Sequence, residues 1–239
     1  MRIGICENDR PVAEDIAARV EAFFTGHGYD CELGIWETAA DFPAEPRAFD
    51  LVLLDWRLPD GTGMEVAEAL GRLPDKPVVI FISAYEEYVF QSFRVGTFRY
   101  LVKPIEEEAL LEALNSFLAW YEHNVVIAIP TKDGELLARL DDVIYIESAQ
   151  KHAIVRLKRT DYLPETSYEA TRSLAEYTDE IQSPAFFRTH KRYYVNMRYI
   201  VSIDKNVANL ANGERVEISR RRAADFNGAY NRYLRARIN

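Results

Sequence analysis

The chain has 239 residues, 48% of them apolar, and a formal net charge of −9, which is enough length for two compact domains or one large one and enough apolar material for a buried core. That charge argues against a protein coated in nucleic acid until it is counted by segment. Residues 1–122 hold 10 Lys and Arg against 23 Asp and Glu (−13), whereas residues 123–239 hold 19 against 15 (+4), so an acidic half conceals a basic one.

The two cysteines, Cys6 and Cys31, lie in apolar runs without CxxC spacing or a paired histidine, and read as buried thiols in a reducing compartment rather than zinc ligands. Met1–Cys6 reads as a strand instead of a charged and then apolar leader, and no uncharged apolar run approaches the ~20 residues of a membrane span. A cytoplasmic protein is the expectation.

In the first half, apolar runs alternate with amphipathic stretches: Ile3–Cys6 with Pro11–Phe24, Cys31–Trp36 with a short polar-capped stretch, Leu51–Leu54 with Gly63–Leu70, Val78–Ile82 with Glu86–Val95, and Tyr100–Val102 with Pro104–Tyr121. Near-continuous apolar strands imply burial on both faces, so five β–α units predict a doubly wound α/β domain with a five-stranded parallel sheet. Pro11 suits a first helical turn, Gly96 a helix C-cap and Pro104 the opening of the last helix.

Open α/β sheets bind ligands at the carboxyl ends of their strands. Here those ends carry Glu7-Asn8-Asp9, Asp55, Ser83 and Lys103-Pro104. Oxygen ligands suit Mg²⁺, a hydroxyl and an ammonium suit phosphoryl oxygens, and a carboxylate beside the metal can act as nucleophile. Polar loop residues after a strand are ordinary one at a time; four strand ends together, with Asp-Gly in the loop after Asp55, point to a site.

With these motifs, residues 1–122 resemble the receiver domains of two-component systems. The resemblance implies that Asp55 accepts a phosphoryl group from a sensor histidine kinase. It implies Mg²⁺ held by Glu7, Asn8, Asp55 and the backbone carbonyl of Arg57, phosphoryl contacts from Ser83 and Lys103, and Tyr100 as the switch aromatic. Receivers carry two carboxylates at the first strand end, where this chain has Glu7 and Asn8; an Asn oxygen can ligate Mg²⁺ but adds no charge, so weak Mg²⁺ dependence or phosphorylation-independent action is the alternative. Asp9 either compensates or caps the first helix.

Beyond His123-Asn124 the pattern turns to strand-like alternation at Val125–Pro130, Glu135–Leu140, Val143–Glu147, Ala153–Leu157 and Asp161–Ser167. A helical stretch is expected around Glu169–Tyr177, and strands follow at Ile200–Ile203, Val207–Leu210 and Arg215–Ile218, with Asn212-Gly213 as a type I′ turn. The second domain, 123–239, is therefore mainly β.

Its basic residues cluster at Lys151-His152, at Arg188-Thr189-His190-Lys191-Arg192 and at Arg220-Arg221-Arg222, the last run following Ser219 as a helix cap. Such runs are either solvated faces or seats for phosphates and base edges. Tyr145-Ile146-Glu147, the run Phe186–Asn196, Asn212-Gly213 and Ser219-Arg220-Arg221 make residues 125–237 resemble the LytTR DNA-binding domain. That resemblance implies about ten strands, loops inserted into the major grooves of a direct-repeat site in double-stranded DNA, and contacts from Lys151 or His152, His190, Lys191, Arg192, Arg220 and Arg221. Arginine can read guanine bidentately, which favours Arg221 for base readout. His190 is alternatively structural, with Phe187, Tyr194 and Val195 inside and Asn196 bonding backbone.

The join at Tyr121–Val125 has no Gly/Ser/Pro tether and predicts a short, stiff link. The family implies homodimerisation of the active form through a face offering Tyr85, Tyr88, Phe90, Phe93, Arg94, Arg99 and Tyr100, with Phe93 expected to pack inside. No enzyme activity beyond the receiver's own phosphoryl transfer is expected, since an aspartyl-phosphate phosphatase wants a second carboxylate where this chain has Arg57. A protein-interaction module with a basic surface is the remaining alternative.

Overall fold

The computed structural model describes residues 1–43 and 49–236, and the chain divides into two compact units, Met1–Ala119 and Trp120–Asn239. Among the described residues, no helix is long and apolar enough to cross a membrane.

The first unit is built on strands β1 (Arg2–Cys6), β2 (Glu32–Trp36) and β3 (Leu51–Asp55), followed by a two-residue ladder of β4 (Arg57–Leu58) with β5 (Gly61–Thr62), then β6 (Val78–Ser83) and β7 (Arg99–Val102). The main sheet runs in the order β2-β1-β3-β6-β7, every pair parallel. Its central strands are buried end to end, LVLLD and VVIFIS, because helices cover both faces.

Helix α1 (Arg10–Gly26) starts where the Asp9 side chain accepts the Val12 N–H at 3.3 Å, with Pro11 in its first turn. It buries Val20 and Phe24 on the same face as α4 (Glu107–Asn124), and Phe24 meets Phe117 edge-on at 5.9 Å. The opposite face holds α2 (Gly63–Leu70), whose Val66, Ala67 and Leu70 pack on Val52, Leu54, Val79 and Phe81. A capping box of Thr62 and Glu65 starts α2.

Two first-half expectations change. The helix expected over Glu86–Val95 is a short α-helix, α3 (Val89–Ser92), between single 3₁₀ turns at Glu86–Tyr88 and Phe93–Val95. Its aromatic and β-branched residues favour a regular helix poorly, and Gly96 ends the second turn in the left-handed region at φ 72°. Pro104 does not open the last helix: Lys103 N–H still bonds the Ser83 carbonyl at 2.8 Å, so Pro104 lies in the turn and α4 begins at Glu107. The short polar-capped stretch expected after Cys31–Trp36 lies partly outside the described residues, which omit 44–48; the described residues after β2 form bends and turns.

The second unit contains ten strands among the described residues. These are β8 (Val126–Thr131), β9 (Gly134–Arg139), β10 (Val143–Ala149), β11 (His152–Leu157), β12 (Ser167–Ala170), β13 (Phe186–His190), β14 (Tyr193–Asn196), β15 (Ile200–Asp204), β16 (Val207–Leu210) and β17 (Arg215–Glu217), with helices α5 (Leu174–Glu180) and α6 (Ala223–Ala236). The largest sheet is antiparallel in the order β12-β11-β10-β14-β13. Ile146, Val155 and Val195 from its inner strands pack with Phe226 of α6 and Tyr177 of α5.

The strand expected over Asp161–Ser167 begins only at Ser167: Thr160 and Leu163 close a turn on each other, and Pro164 offers no ladder donor. The helix expected around Glu169–Tyr177 is shifted to α5, because Glu169 and Ala170 pair with Ile154 and Ala153 while a Ser173–Glu176 capping box starts the helix. At Asn212-Gly213 only Gly213 is left-handed, at φ 83°, so the turn is not type I′, which needs positive φ at both positions. Ser219 does not cap α6; it opens a turn whose Arg222 N–H bonds the Ser219 carbonyl, one turn before the helix starts at Ala223.

Candidate functional site

Parallel pairing of β1, β3, β6 and β7 brings Glu7, Asp55, Ser83 and Lys103 to one end of the first sheet. Glu7 is 1%, Asp55 8% and Ser83 0% exposed. Lys103 Nζ donates to Glu7 Oε2 at 2.5 Å and to Asp55 Oδ2 at 2.8 Å. The other carboxylate oxygens accept backbone donors, Glu7 Oε1 from Asp9 N–H at 3.1 Å and Asp55 Oδ1 from Arg57 N–H at 3.4 Å. Ser83 Oγ accepts the Tyr85 N–H at 3.3 Å.

One ammonium thus faces two buried carboxyl groups. Burial pushes the Glu7 carboxyl above its ordinary range, reinforced by the Asp55 charge and opposed by the Lys103 hydrogen bond. Burial alone would weaken the Lys103 ammonium, but the bonds from Asp55 and Glu7 outweigh it and hold Lys103 protonated. Among the described residues no three His, Cys, Asp or Glu side chains converge as a metal cage. A donor set of two carboxylates with surplus negative charge nevertheless fits Mg²⁺, which keeps most of its water and takes one or two carboxylates plus phosphate oxygens.

Asn8 is exposed, and Asp9 is spent as the α1 cap, so neither adds a buried charge. Arg57 pairs with Thr62 in the β4–β5 ladder. Its guanidinium reaches Tyr85 Oη at 2.9 Å and Tyr88 Oη at 3.2 Å and lies 3.9 Å over the Tyr85 ring. Tyr88 stacks on Trp56 at 4.8 Å, and Tyr100 Oη donates to the Tyr85 carbonyl at 2.5 Å. The loops after β3 and β6 are therefore tied to the aromatic of β7.

Two supports were invisible as spacings. Asp60 accepts the Ala39 and Ala40 N–H groups at 2.8 and 2.9 Å, bonds that lower its pKa and pin the loop after Asp55. At Gly63 a Cβ would fall 2.1 Å from the Asp55 carbonyl oxygen, so only glycine lets α2 begin there. The Asp-Gly loop and a glycine at the helix start were the available sequence signals.

On the expected dimer face Phe90 is 83% exposed, and Phe93, expected inside, is 64% exposed. Ser92 occupies the buried position instead, bonding the Val89 carbonyl, and turns its neighbour Phe93 outward.

In the second unit, β10 pairs with both β11 and β14, with Ala149 opposite His152 and Glu147 opposite Tyr193. The β10–β11 turn, carrying Lys151, and the β13–β14 turn, carrying Lys191 and Arg192, therefore emerge at the same end of the sheet. Ser148 N–H bonds the Arg192 carbonyl at 2.8 Å, and Ser219 N–H bonds the Thr189 carbonyl at 2.9 Å. A 660 Å³ cleft is bordered by Arg188, His190, Lys191, Arg221, Arg222 and Asp225. All three basic runs thus lie at or beside one end of the sheet.

These cations are not equivalent. Arg192 is held by Glu147 at 2.5 Å, and Arg222 by the Arg188 carbonyl at 3.0 Å. His190 Nδ1 accepts the Arg192 N–H at 3.3 Å, with Glu217 4.0 Å from its Nε2. His152 opens β11 half-buried, its Nδ1 shielded and without a partner. Among the described residues, no hydrogen bond or ion pair engages the side chains of Lys151, Lys191, Arg220 or Arg221, although the Lys191 carbonyl accepts from Arg188 Nη2 at 3.3 Å. Tyr194 and Val195 are buried, Phe187 packs at the core edge, and Asn196 Nδ2 donates to the Val143 carbonyl at 3.0 Å.

A five-stranded parallel sheet ending in a lysine-bridged acid pair, and a mainly β unit with basic turns, define a phosphorelay receiver joined to a DNA-binding module. Residues 9–115 match the response regulator receiver domain and residues 134–231 the LytTr DNA-binding domain. The chain is a two-component response regulator of the LytTR type, a DNA-binding transcription regulator whose partners are DNA and a histidine kinase. The Bacillus cereus sensory transduction protein LytT is 23% identical over 198 residues, 74% of this chain and 78% of that protein. The Staphylococcus aureus transcriptional regulatory protein LytR is 24% identical over 197 residues, with the same shares, 74% and 78%. The solved LytTr DNA-binding domain of a Bacillus cereus response regulator is 27% identical, covering 44% of this chain and 94% of its own, with a TM-score of 0.38.

Proposed function

We propose that Asp55, in a receiver spanning residues 1–122, accepts the phosphoryl group of a kinase phosphohistidine. An Asp55 carboxylate oxygen forms the new P–O bond as the P–N bond breaks, and the imidazole nitrogen leaves to take a proton. The observation that carries this reading is the Lys103 ammonium bonded at once to Glu7 and Asp55. Lys103 is then in place to exchange a carboxylate for a phosphoryl oxygen, with Ser83 as a second donor. Glu7, Asp55, the Arg57 backbone carbonyl and, more weakly, Asn8 are the candidates to hold Mg²⁺, which when bound would neutralise charge on the transferring group.

Loss of a lysine bond at Asp55 and a new bond at Ser83 would loosen the loop that Tyr100 holds through the Tyr85 carbonyl. That loosening favours a homodimer built on the exposed face of Phe90 and Phe93. Two domains spanning 123–239 would then engage a direct-repeat DNA site with avidity. Unpaired Lys151, Lys191, Arg220 and Arg221, together with His152, His190 and Arg192, are the proposed contacts, Arg221 reading a base. Outside its own phosphoryl transfer the protein is assigned no catalysis.

A second reading has its own observation: with Asn8 exposed and Asp9 used as a cap, the metal site lacks a charge, which favours DNA binding indifferent to phosphorylation. Selection from a promoter-length DNA library, with and without acetyl phosphate and Mg²⁺ at two salt concentrations, tests both. A repeated motif tightened by phosphodonor and untightened in Asp55→Ala supports the switch. Selection indifferent to phosphodonor supports the second reading, and no selection in either state points to a protein-interaction module.

A further inference from the structure

The second unit has a cleft of 430 Å³ that neither site uses. Ile144, Leu157 and Tyr199 line it with apolar surface, and Arg156, Lys158 and Arg159 bring three cations to it against one acid, Glu214. Its position follows from strand register. Leu157 pairs with Val143 at one end of the β10–β11 ladder and His152 with Ala149 at the other. Arg156 therefore lies about 13 Å along β11 from His152, at the end of the sheet away from the basic turns.

The charges are incompletely matched. Arg156 Nε is shielded from solvent and has no hydrogen-bond partner. The Glu214 carboxylate approaches it only to 3.9 Å, while Glu214 Oε2 is taken by Asn212 Nδ2 at 2.5 Å. Lys158 and Arg159 are exposed, and neither forms an ion pair among the described residues. Tyr199 Oη is committed to the Asp141 carbonyl at 2.7 Å, so its hydroxyl is occupied.

A concave site with an apolar lining, a surplus of two positive charges and a shielded, unsatisfied guanidinium N–H has a defined chemical complement. We infer that this cleft is a small-molecule site separate from the DNA interface, and that its ligand is an organic anion with a carboxylate, sulfonate or phosphate on a flat apolar body. The anionic group pairs with Arg156, Lys158 and Arg159, and the apolar body covers Ile144, Leu157 and the Tyr199 ring.

The test titrates the full chain with naphthalene-2-sulfonate, and in parallel with the neutral 2-naphthalenemethanol and with inorganic sulfate, by calorimetry and NMR shift mapping. Saturable one-site binding of the sulfonate is expected, at least tenfold tighter than either control. A loss of tenfold or more is expected in Lys158→Gln/Arg159→Gln, whose exposed side chains can be changed without touching the core, and in Arg156→Gln if melting shows it folded. Lys191→Ala/Arg221→Ala should bind the probe as the parent does. No saturable binding, equal affinity for the neutral analogue, unchanged affinity in the folded Lys158→Gln/Arg159→Gln protein, or an equal loss in Lys191→Ala/Arg221→Ala would each overturn the assignment.

Discussion

Arg192 Nη2 donates to Glu147 Oε1 at 2.5 Å, joining an exposed guanidinium at a strand turn to a carboxylate only 15% exposed. The pair fixes one basic side chain at the proposed DNA-contacting end while the side chain of its neighbour Lys191 stays unpaired. Glu147→Ala is therefore expected to act oppositely on two kinds of binding. Affinity for the selected DNA site should fall roughly fivefold, about 1 kcal/mol, as Arg192 loses its fixed geometry. Affinity for unrelated DNA should hold or rise, with its log–log salt slope steeper by about one. Fluorescence anisotropy at several salt concentrations reads both; a parallel fall for both DNAs would show that Glu147 merely supports the fold.

Arg221 and Lys191 border the same cleft but differ in what they can recognise. Arg221→Ala is expected to cost about 1–3 kcal/mol on the selected site and relax preference at one base position. Lys191→Ala should weaken all sequences alike and lower the salt slope by about one. Repeating the library selection with each variant separates them, and identical motifs from both would remove Arg221 from base readout.

Glu7 makes a prediction with a definite sign. Because burial raises its carboxyl above the ordinary 4.5, the folded protein holds this proton more tightly than the unfolded chain. The contribution to stability is fully present below about pH 4.5 and is lost as pH rises through the folded-state pKa. Glu7→Gln mimics the protonated acid, so at neutral pH without divalent cation it should melt a few degrees higher, on the order of 1 kcal/mol. Millimolar Mg²⁺ should then stabilise the parent and not the variant. Thermal melts from mildly acidic to mildly alkaline pH check both, and a variant that melts lower throughout would mean that the lost Lys103 bond outweighs burial.

Asn8→Asp would restore a charge at the end of β1. Apparent Mg²⁺ affinity is expected to rise several-fold, on the order of 1 kcal/mol, with faster labelling by acetyl phosphate. An unchanged Mg²⁺ titration would show that Asn8 does not limit the metal site.

The parallel sheet and its acid-and-lysine end were legible because buried strands write their apolar runs into the sequence, and the polar residue after each run falls at the same sheet edge. Asp60 was legible only as the Asp-Gly of the loop after Asp55; its partners, the backbone groups of Ala39 and Ala40, carry no side-chain signature. The outward turn of Phe93 depends on Ser92, at the end of α3, taking the buried position, and an aromatic every few residues does not encode it. In the second unit the start of the strand after Pro164 and the type of the turn at Asn212-Gly213 were misjudged, because a missing donor at the one and a single left-handed residue at the other, rather than hydropathy, set them. The basic clusters were visible, but their common location was not, since it follows from β14 lying beside β10.

That last arrangement acts as a ruler. Tyr145 faces Val195, Ile146 faces Tyr194 and Glu147 faces Tyr193 across β10 and β14. A slip of one residue would move every side chain of the strand to the opposite face of the sheet, and both faces are packed here. With Ile146 and Val195 fully buried, such a slip would dismantle the core, so the distance between the two basic turns is set by packing rather than by the turns themselves. If the turns contact DNA as proposed, residues at their tips are free to change which bases are read, while the step between contacts along the double helix stays constant for as long as the core survives.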